Sequence, residues 1–323
     1  MPSEFDLIRR YFTSPAPSAI LGVGDDAALV KATKGKVLAI STDMLVSGTH
    51  FFADANPYKL GQKSLSVNLS DMAAMGATPR WATLALALPA ANTTWLGAFA
   101  RGFFKVARAY QVDLVGGDTT RGPLAISVTL IGEVAAGKAL QRGGAKAGDE
   151  IWVSGDLGEA ALGLLHLQGR IALTRREASR CELALHAPIA RVALGQKLSG
   201  IASSAIDISD GLLADLGHLL EQSKVGAEIE FAAIPRSDAL QKYLAQTGTH
   251  KLVVNALMAG GDDYELCFTA PASKRLKLLK LAQALKMPLT CIGKITARSG
   301  LSVRDATGKK MRLPRKGYDH FCP

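Results

Sequence analysis

Apolar positions along this chain alternate between helical spacing and strand-like runs. Glu4 to about Phe12 has helical spacing, with Ser3 placed as its N-cap. Val37-Leu-Ala-Ile-Ser-Thr-Asp43 is an apolar run ending in oxygen-bearing side chains, which predicts a buried strand. Asn56-Pro57 predicts the start of a helix to about Gly76, because proline is favoured at the first helical position. Leu60, Leu65, Leu69 and Met72 fall on its apolar side, while Asn68 and Asp71, three residues apart, share one face. Trp81 to Leu88 predicts a second strand. Thr94 opens an amphipathic helix through Trp95, Phe99, Phe103, Val106 and Tyr110. Val112 to Val115 predicts a short strand delivering Gly116-Gly117-Asp118 at its end, and Leu124 to Val134 a further strand.

The rhythm breaks at Arg142-Gly-Gly-Ala-Lys-Ala-Gly-Asp149, a polar, glycine-rich connector, and resumes with a strand at Ile151-Trp-Val-Ser154. Beyond it the pattern predicts helices over about 157–168, 175–199, 210–222, 237–245 and 273–286. Strands are predicted over 203–207, 227–231, 265–269 and 289–295. The expected organisation is two domains, 1–137 of α/β type and 138–323 of α+β type.

Composition agrees: 323 residues, 48% hydrophobic and 20% charged, are those of a globular chain long enough for two cores. The N-terminus lacks the basic-then-apolar order of a signal peptide, and no apolar run approaches the ~18 residues of a membrane span. A cytosolic location with no membrane partner is therefore expected. Cys181, Cys267, Cys291 and Cys322 lie far apart, which argues against a zinc site or a disulfide framework. The net charge is +10, and part of the excess sits late, on Lys274, Arg275, Lys277, Lys280 and Lys286 and again between Arg298 and Lys316. Without interleaved aromatics this reads as a solvated face, or as steering for anionic substrates, and no nucleic-acid partner is expected.

Against that basic background stand six short segments that place aspartate beside glycine or hydroxyl residues: Gly24-Asp25-Asp26, Ser41-Thr42-Asp43, Asn68-Leu69-Ser70-Asp71, Gly116-Gly117-Asp118, Asp207-Ile208-Ser209-Asp210 and Gly260-Gly261-Asp262-Asp263. Each alone reads as a turn or a helix cap. Together they are the hard oxygen donors that Mg²⁺ takes, beside its own waters and substrate phosphates. Gly22-Val-Gly-Asp-Asp-Ala27 matches a dinucleotide fingerprint only superficially, since a pyrophosphate at a helix N-terminus wants no carboxylate there. No Gly-x4-Gly-Lys-Ser/Thr loop is present.

Leu-Gly-Val-Gly-Asp-Asp-Ala-Ala (21–28), Ile-Ser-Thr-Asp (40–43), Gly-Thr-His-Phe (48–51), Val-Asn-Leu-Ser-Asp-Met-Ala-Ala-Met-Gly-Ala (67–77), Gly-Gly-Asp-Thr-Thr-Arg-Gly-Pro (116–123), Ser-Ala-Ile-Asp-Ile-Ser-Asp-Gly-Leu (204–212), Asp-Tyr-Glu-Leu (263–266) and Gly-Tyr-Asp-His-Phe (317–321) follow in order. This series resembles the thiamine-monophosphate kinases of the aminoimidazole-ribonucleotide-synthetase-like superfamily. The resemblance implies an N-terminal α/β domain that dimerises through its sheet, a C-terminal α+β domain, and a nucleotide held between them. It implies transfer of the ATP γ-phosphoryl to thiamine monophosphate with several Mg²⁺ ions, in a homodimer. The matching metal ligands are Asp26, Ser41, Thr42, Asp43, Asp71, Asp118, Asp207 and Asp210, with Asp43, Asp71, Asp118 and Asp210 carrying catalysis. Tyr110, Gly117, Arg142 and Ser209 would meet ATP; His50, Asp262 and Arg315 would meet the thiamine nucleotide. Two positions depart from the family pattern: Asp262 stands where glutamate is common, and Arg315 where tryptophan is common. The alternatives are another ATP-using member of the superfamily, such as an aminoimidazole-ribonucleotide-synthetase-like enzyme, or a non-enzymatic basic nucleotide- or nucleic-acid-binding protein.

Overall fold

Ser3 caps the first helix as its sequence demands. Its hydroxyl accepts from the Asp6 N–H at 3.2 Å while the Asp6 carboxylate accepts from the Ser3 N–H at 3.1 Å. The structure, a computed structural model, describes residues 3–312 and Gly317. These divide into two compact units, one running to Met72 and from Ala77 to Gly137, the other formed by Ala73–Gly76 and the residues from Lys138 on.

In the first unit, α1 (Glu4–Leu7) continues as a wider turn over Ile8–Phe12, followed by β1 (Lys36–Val46), α2 (Pro57–Ala74), β2 (Thr78–Leu88), α3 (Thr93–Tyr110), β3 (Asp113–Arg121) and β4 (Ala125–Ala135). The four strands form one sheet in the order β1-β4-β2-β3, antiparallel except for the parallel β2–β3 pair. Leu65, Leu69, Met72, Phe99 and Phe103 from α2 and α3 are buried, as are Trp81, Leu86, Ile126 and Leu130 from β2 and β4. The two helices cross backbone to backbone, because Gly61 lies on the Phe99 carbonyl and Gly102 on the Tyr58 carbonyl, where a Cβ has no room.

Two expectations for this unit change. The run 37–43 forms a strand, but an edge strand with an open face rather than a buried one, Ile40 and Met44 being 65% and 58% exposed. Gly116-Gly117-Asp118 lies inside β3 rather than at its end, since pairing with β2 continues to Arg121.

The second unit contains β5 (Glu150–Ser154), α4 (Glu159–Leu167), α5 (Arg175–His186), α6 (Val192–Leu198), β6 (Ser204–Asp207), α7 (Leu212–Ser223), β7 (Gly226–Glu230), α8 (Asp238–Leu244), α9 (His250–Ala259), β8 (Leu266–Ala270), α10 (Arg275–Leu285), β9 (Leu289–Thr296) and β10 (Gly300–Arg304). Its six strands run in the order β10-β7-β9-β5-β8-β6. Ile151, Val153, Ile206 and Cys267 of the sheet pack with Leu162, Leu212, Leu216 and Leu257 of the helices in one core. The single helix expected over 175–199 is two, broken at Ala187-Pro188, where the missing proline N–H and the extended geometry forced on its predecessor end α5. Helix α9 and strand β10 were not expected.

Candidate active site

Strand alternation decides what β1 offers. Ser41 and Asp43 face the same way; Thr42 faces the other, where its hydroxyl pairs with Thr129 at 2.8 Å. Helix α2 meets the Ser41–Asp43 face with Asn68 and Asp71, the pair its three-residue spacing aligned. The Ser41 hydroxyl donates to the Asp71 carboxylate. The Asp43 N–H donates to Asn68 Oδ1 at 3.2 Å, and the Asn68 amide donates to the Ser64 carbonyl at 3.2 Å. Asn68, fully buried, thus works as a spacer that fixes β1 to α2 and sets Asp43, Ser41 and Asp71 together.

Asp118 stands apart from this group. Asp43, Val128, Leu84 and Gly117 form one row across the sheet, so three inter-strand steps, ~14 Å in all, separate Asp43 from the strand that carries Asp118. Gly117, at φ +149°, lies directly on the Leu84 carbonyl, so the β2–β3 pairing itself demands a glycine there. Asp26 is exposed, and its N–H donates to the neighbouring Asp25 carboxylate at 3.0 Å. His50 accepts the Val46 N–H through Nδ1 at 3.0 Å, the arrangement of a turn histidine. Tyr110 is half-buried at the end of α3.

In the second unit, Asp207 ends β6 and the segment Ile208–Gly211 leads into α7. This loop is tied from several sides. The Asp262 N–H donates to the Ser209 carbonyl and the Tyr264 N–H to the Ile208 carbonyl, both at 2.8 Å. Gly317 sits against the same loop, where a Cβ would meet the Asp210 carbonyl at 2.8 Å and Ala214 Cβ at 2.5 Å. Asp262 and Tyr264 both take left-handed backbone angles, φ +69° and +50°, and the Tyr264 hydroxyl donates to the Asp262 carboxylate at 3.0 Å. Two such non-glycine residues flanking Asp263 store strain that only a fixed surrounding sustains. Arg142 is exposed in the connector, with its carbonyl accepting from the Ser223 hydroxyl at 3.2 Å. Arg315, Tyr318 and Phe321 lie outside the described residues.

Three carboxylates here have no site role assigned from the sequence. Asp215, in the first turn of α7, accepts the N–H groups of Ser209, Asp210 and Gly211, each at 3.1 Å. Burial pushes its carboxyl up to about 8, with the Asp207 and Asp210 charges adding to the rise and the backbone donors opposing it. Asp263 takes the Gly158 N–H on both oxygens at 2.9 Å, and burial pushes its carboxyl well above the usual range. Glu265, read from the sequence only as a strand residue, is buried just before β8, paired with Arg191 and bonded by the Ser154 hydroxyl. An acid in the first turn of a predicted helix was the available signal for Asp215.

The donors at both places are carboxylate and hydroxyl oxygens. Among the described residues, no three His, Cys, Asp or Glu side chains gather closely enough to hold a metal by themselves. Paired carboxylates with room for water and phosphate are what Mg²⁺ accepts, unlike calcium or zinc cages built wholly from protein. The residues fit such an ion. No helix among the described residues is long and apolar enough to cross a membrane.

Two sheets with flanking helices, with acidic residues on β1, α2 and β3 and in the loop between β6 and α7, define the class. Residues 24–134 match the N-terminal domain of the AIR synthase related proteins and residues 146–306 match their C-terminal domain. Within that class, thiamine-monophosphate kinase of Escherichia coli (strain K12) is 45% identical over 325 residues, 99% of this chain and 98% of the relative. The crystal structure of thiamine-monophosphate kinase from Stenotrophomonas maltophilia K279a matches at a TM-score of 0.84 and 44% identity, covering 91% of this chain and 93% of that one. The structure described as AaThiL complexed with AMPPCP and TMP matches at 0.78 and 32%, covering 98% and 96%. The chain belongs to the thiamine-monophosphate kinase family and is an enzyme, a phosphotransferase whose acceptor is a phosphate group.

Proposed function

We propose that this chain, working in the cytosol, transfers the γ-phosphoryl of ATP directly and in line to the phosphate of thiamine monophosphate, releasing thiamine diphosphate and ADP. The observation that carries this is the Ser41–Asp43–Asp71 group, acidic oxygens fixed in place by a buried asparagine. The acceptor oxygen is already ionised, so no side chain has to remove a proton, and the task left to the protein is to position two anions and offset their charge. Mg²⁺, when bound, would supply that charge compensation and orient the phosphate oxygens. In this reading Asp26, Ser41, Asp43, Asp71, Asp118, Asp207 and Asp210 hold metal, while Thr42, whose hydroxyl is turned away, contributes through its main chain alone. The separation of Asp118 from Asp43 suits several ions spread along a polyphosphate rather than one central ion.

Tyr110, Gly117, Arg142 and Ser209 are assigned to ATP, Arg142 by the bidentate contacts a guanidinium makes with phosphate. The Ser209 N–H is already taken by Asp215, so its contact would come from the hydroxyl. His50, Asp262 and Arg315 are assigned to the thiamine nucleotide. Residues 1–137 and 138–323 would be the two functional halves. Incubation with ATP, Mg²⁺ and thiamine monophosphate, followed by chromatography, should show thiamine diphosphate and ADP in equal amounts, and EDTA should abolish both. Turnover of free thiamine instead would overturn the assignment of the acceptor.

We also propose a homodimer formed through the open face of the first sheet, where Leu38, Ile40 and Met44 would otherwise leave an apolar patch in water. Light scattering should give twice 34.0 kDa for the wild type and a single copy for Ile40→Glu. A wild-type monomer would end this proposal.

A further inference from the structure

The N–H groups of Ser209, Asp210 and Gly211 all point at one oxygen of Asp215, at 3.1 Å each. Successive amides converging in this way make a concave anion site, and the start of α7 adds its dipole to them. Such a nest at a helix N-terminus is a ready phosphate site. In this chain it is filled by a carboxylate from the same helix, 3% exposed and with no other task in the site described above.

We propose that Asp215 is a positioning residue, which fixes the Asp207–Asp210 loop before metal or nucleotide arrives and keeps phosphate out of its amide nest. The inference rests on the phosphoryl-transfer reading, in which that loop holds metal and ATP. The physical reason lies in what the three amides would otherwise do. In the first unit, the Asp26 N–H bonds the neighbouring Asp25 carboxylate, so an acidic loop left to itself bonds its own amides. A carboxylate used in that way is turned from a metal. With Asp215 taking all three amides, the loop backbone is committed elsewhere, and phosphate oxygens are left to metal ions and side chains.

The loop carbonyls are held separately by the Asp262 and Tyr264 N–H groups, so replacing Asp215 removes the amide anchor without freeing the whole segment. Amide hydrogen exchange in the metal-free, nucleotide-free wild type should show Ser209, Asp210 and Gly211 protected. In Asp215→Ala, which takes away the oxygen that all three amides share, their exchange should quicken. Calorimetric affinity for Mg²⁺ with AMPPCP should fall roughly 10–100-fold, the range for groups that orient metal ligands. A wild type whose three amides exchange freely until Mg²⁺ and AMPPCP are added overturns the proposal, as does a variant that binds them as tightly as wild type. The wild-type measurement needs no substitution, so it decides the matter even where the variant folds poorly. Protected amides together with a wild type unable to make thiamine diphosphate would instead remove the phosphoryl-transfer reading and leave the anchor standing.

Discussion

Asp71→Asn should lower turnover of thiamine monophosphate by roughly 10²–10³-fold, the usual loss when one preorganised electrostatic group is removed from a phosphoryl- or acyl-transfer site. The variant should melt where the wild type does. Asparagine has the same shape, and its carbonyl oxygen still accepts the Ser41 hydroxyl that Asp71 accepts, so β1 stays seated on α2. What disappears is a unit of negative charge on a half-buried helix face, and with it the hold on a cation that the proposed function assigns to Asp71. Asn68→Ala supplies the contrast. It carries no charge to lose, but it would leave the Asp43 N–H without its acceptor in a part-buried position and should cost about 1–3 kcal/mol of stability. Measuring the rate of thiamine diphosphate formation at graded Mg²⁺ beside thermal unfolding separates the two. Near wild-type turnover in Asp71→Asn would remove Asp71 from the site.

The contrast also shows which parts of the site could be read in advance. Asn68 and Asp71 were placed on one face by helical spacing, and α2 presents both to β1. Strand alternation placed Ser41 with Asp43, and the same alternation turns the Thr42 hydroxyl away, a consequence that a motif match passes over. Caps at Ser3 and Asn56 were legible because a helix start needs acceptors for its own N–H groups, which local side chains supply. What local pattern does not carry is tertiary. The run 37–43 is apolar enough for a buried strand, yet its place at a sheet edge leaves half of it uncovered, and strand order is set by partners some 90 residues on. Gly116-Gly117-Asp118 looks like a strand terminator, but glycine is what allows β3 to continue against the Leu84 carbonyl. Asp215 was legible only as an acid near the start of a helix; that it anchors the loop before it was not, because its partners are main-chain amides, which no residue type advertises. The ion pair of Glu265 with Arg191 spans 74 positions and carries no spacing signal at all.

That ion pair gives the largest expected effect on stability. Glu265, 5% exposed, receives Arg191 through two guanidinium nitrogens and also the Ser154 hydroxyl, whose oxygen in turn accepts the Leu266 N–H at 2.9 Å where β8 begins. Arg191→Ala strips the charge partner from a buried carboxylate and should cost about 3–5 kcal/mol, because the desolvation already spent on Glu265 is no longer offset. In a unit of this size that loss should lower the melting temperature on the order of 10 °C. The Arg191 side chain is 22% exposed, so some water reaches the gap and the lower half of the energy range is expected. Replacing both partners, Arg191→Met with Glu265→Met, should recover most of the loss, since two apolar side chains of similar length leave no buried charge. Calorimetric unfolding of Arg191→Met, Glu265→Met and the double variant measures the coupling directly. A double variant no more stable than Arg191→Ala would mean that the pair holds the β8 entry by its shape and hydrogen bonds rather than by balancing charge. Because β8 follows at once on the strained Asp262–Tyr264 turn, which is bonded to the Asp207–Asp210 loop, activity should fall in step with any loosening there.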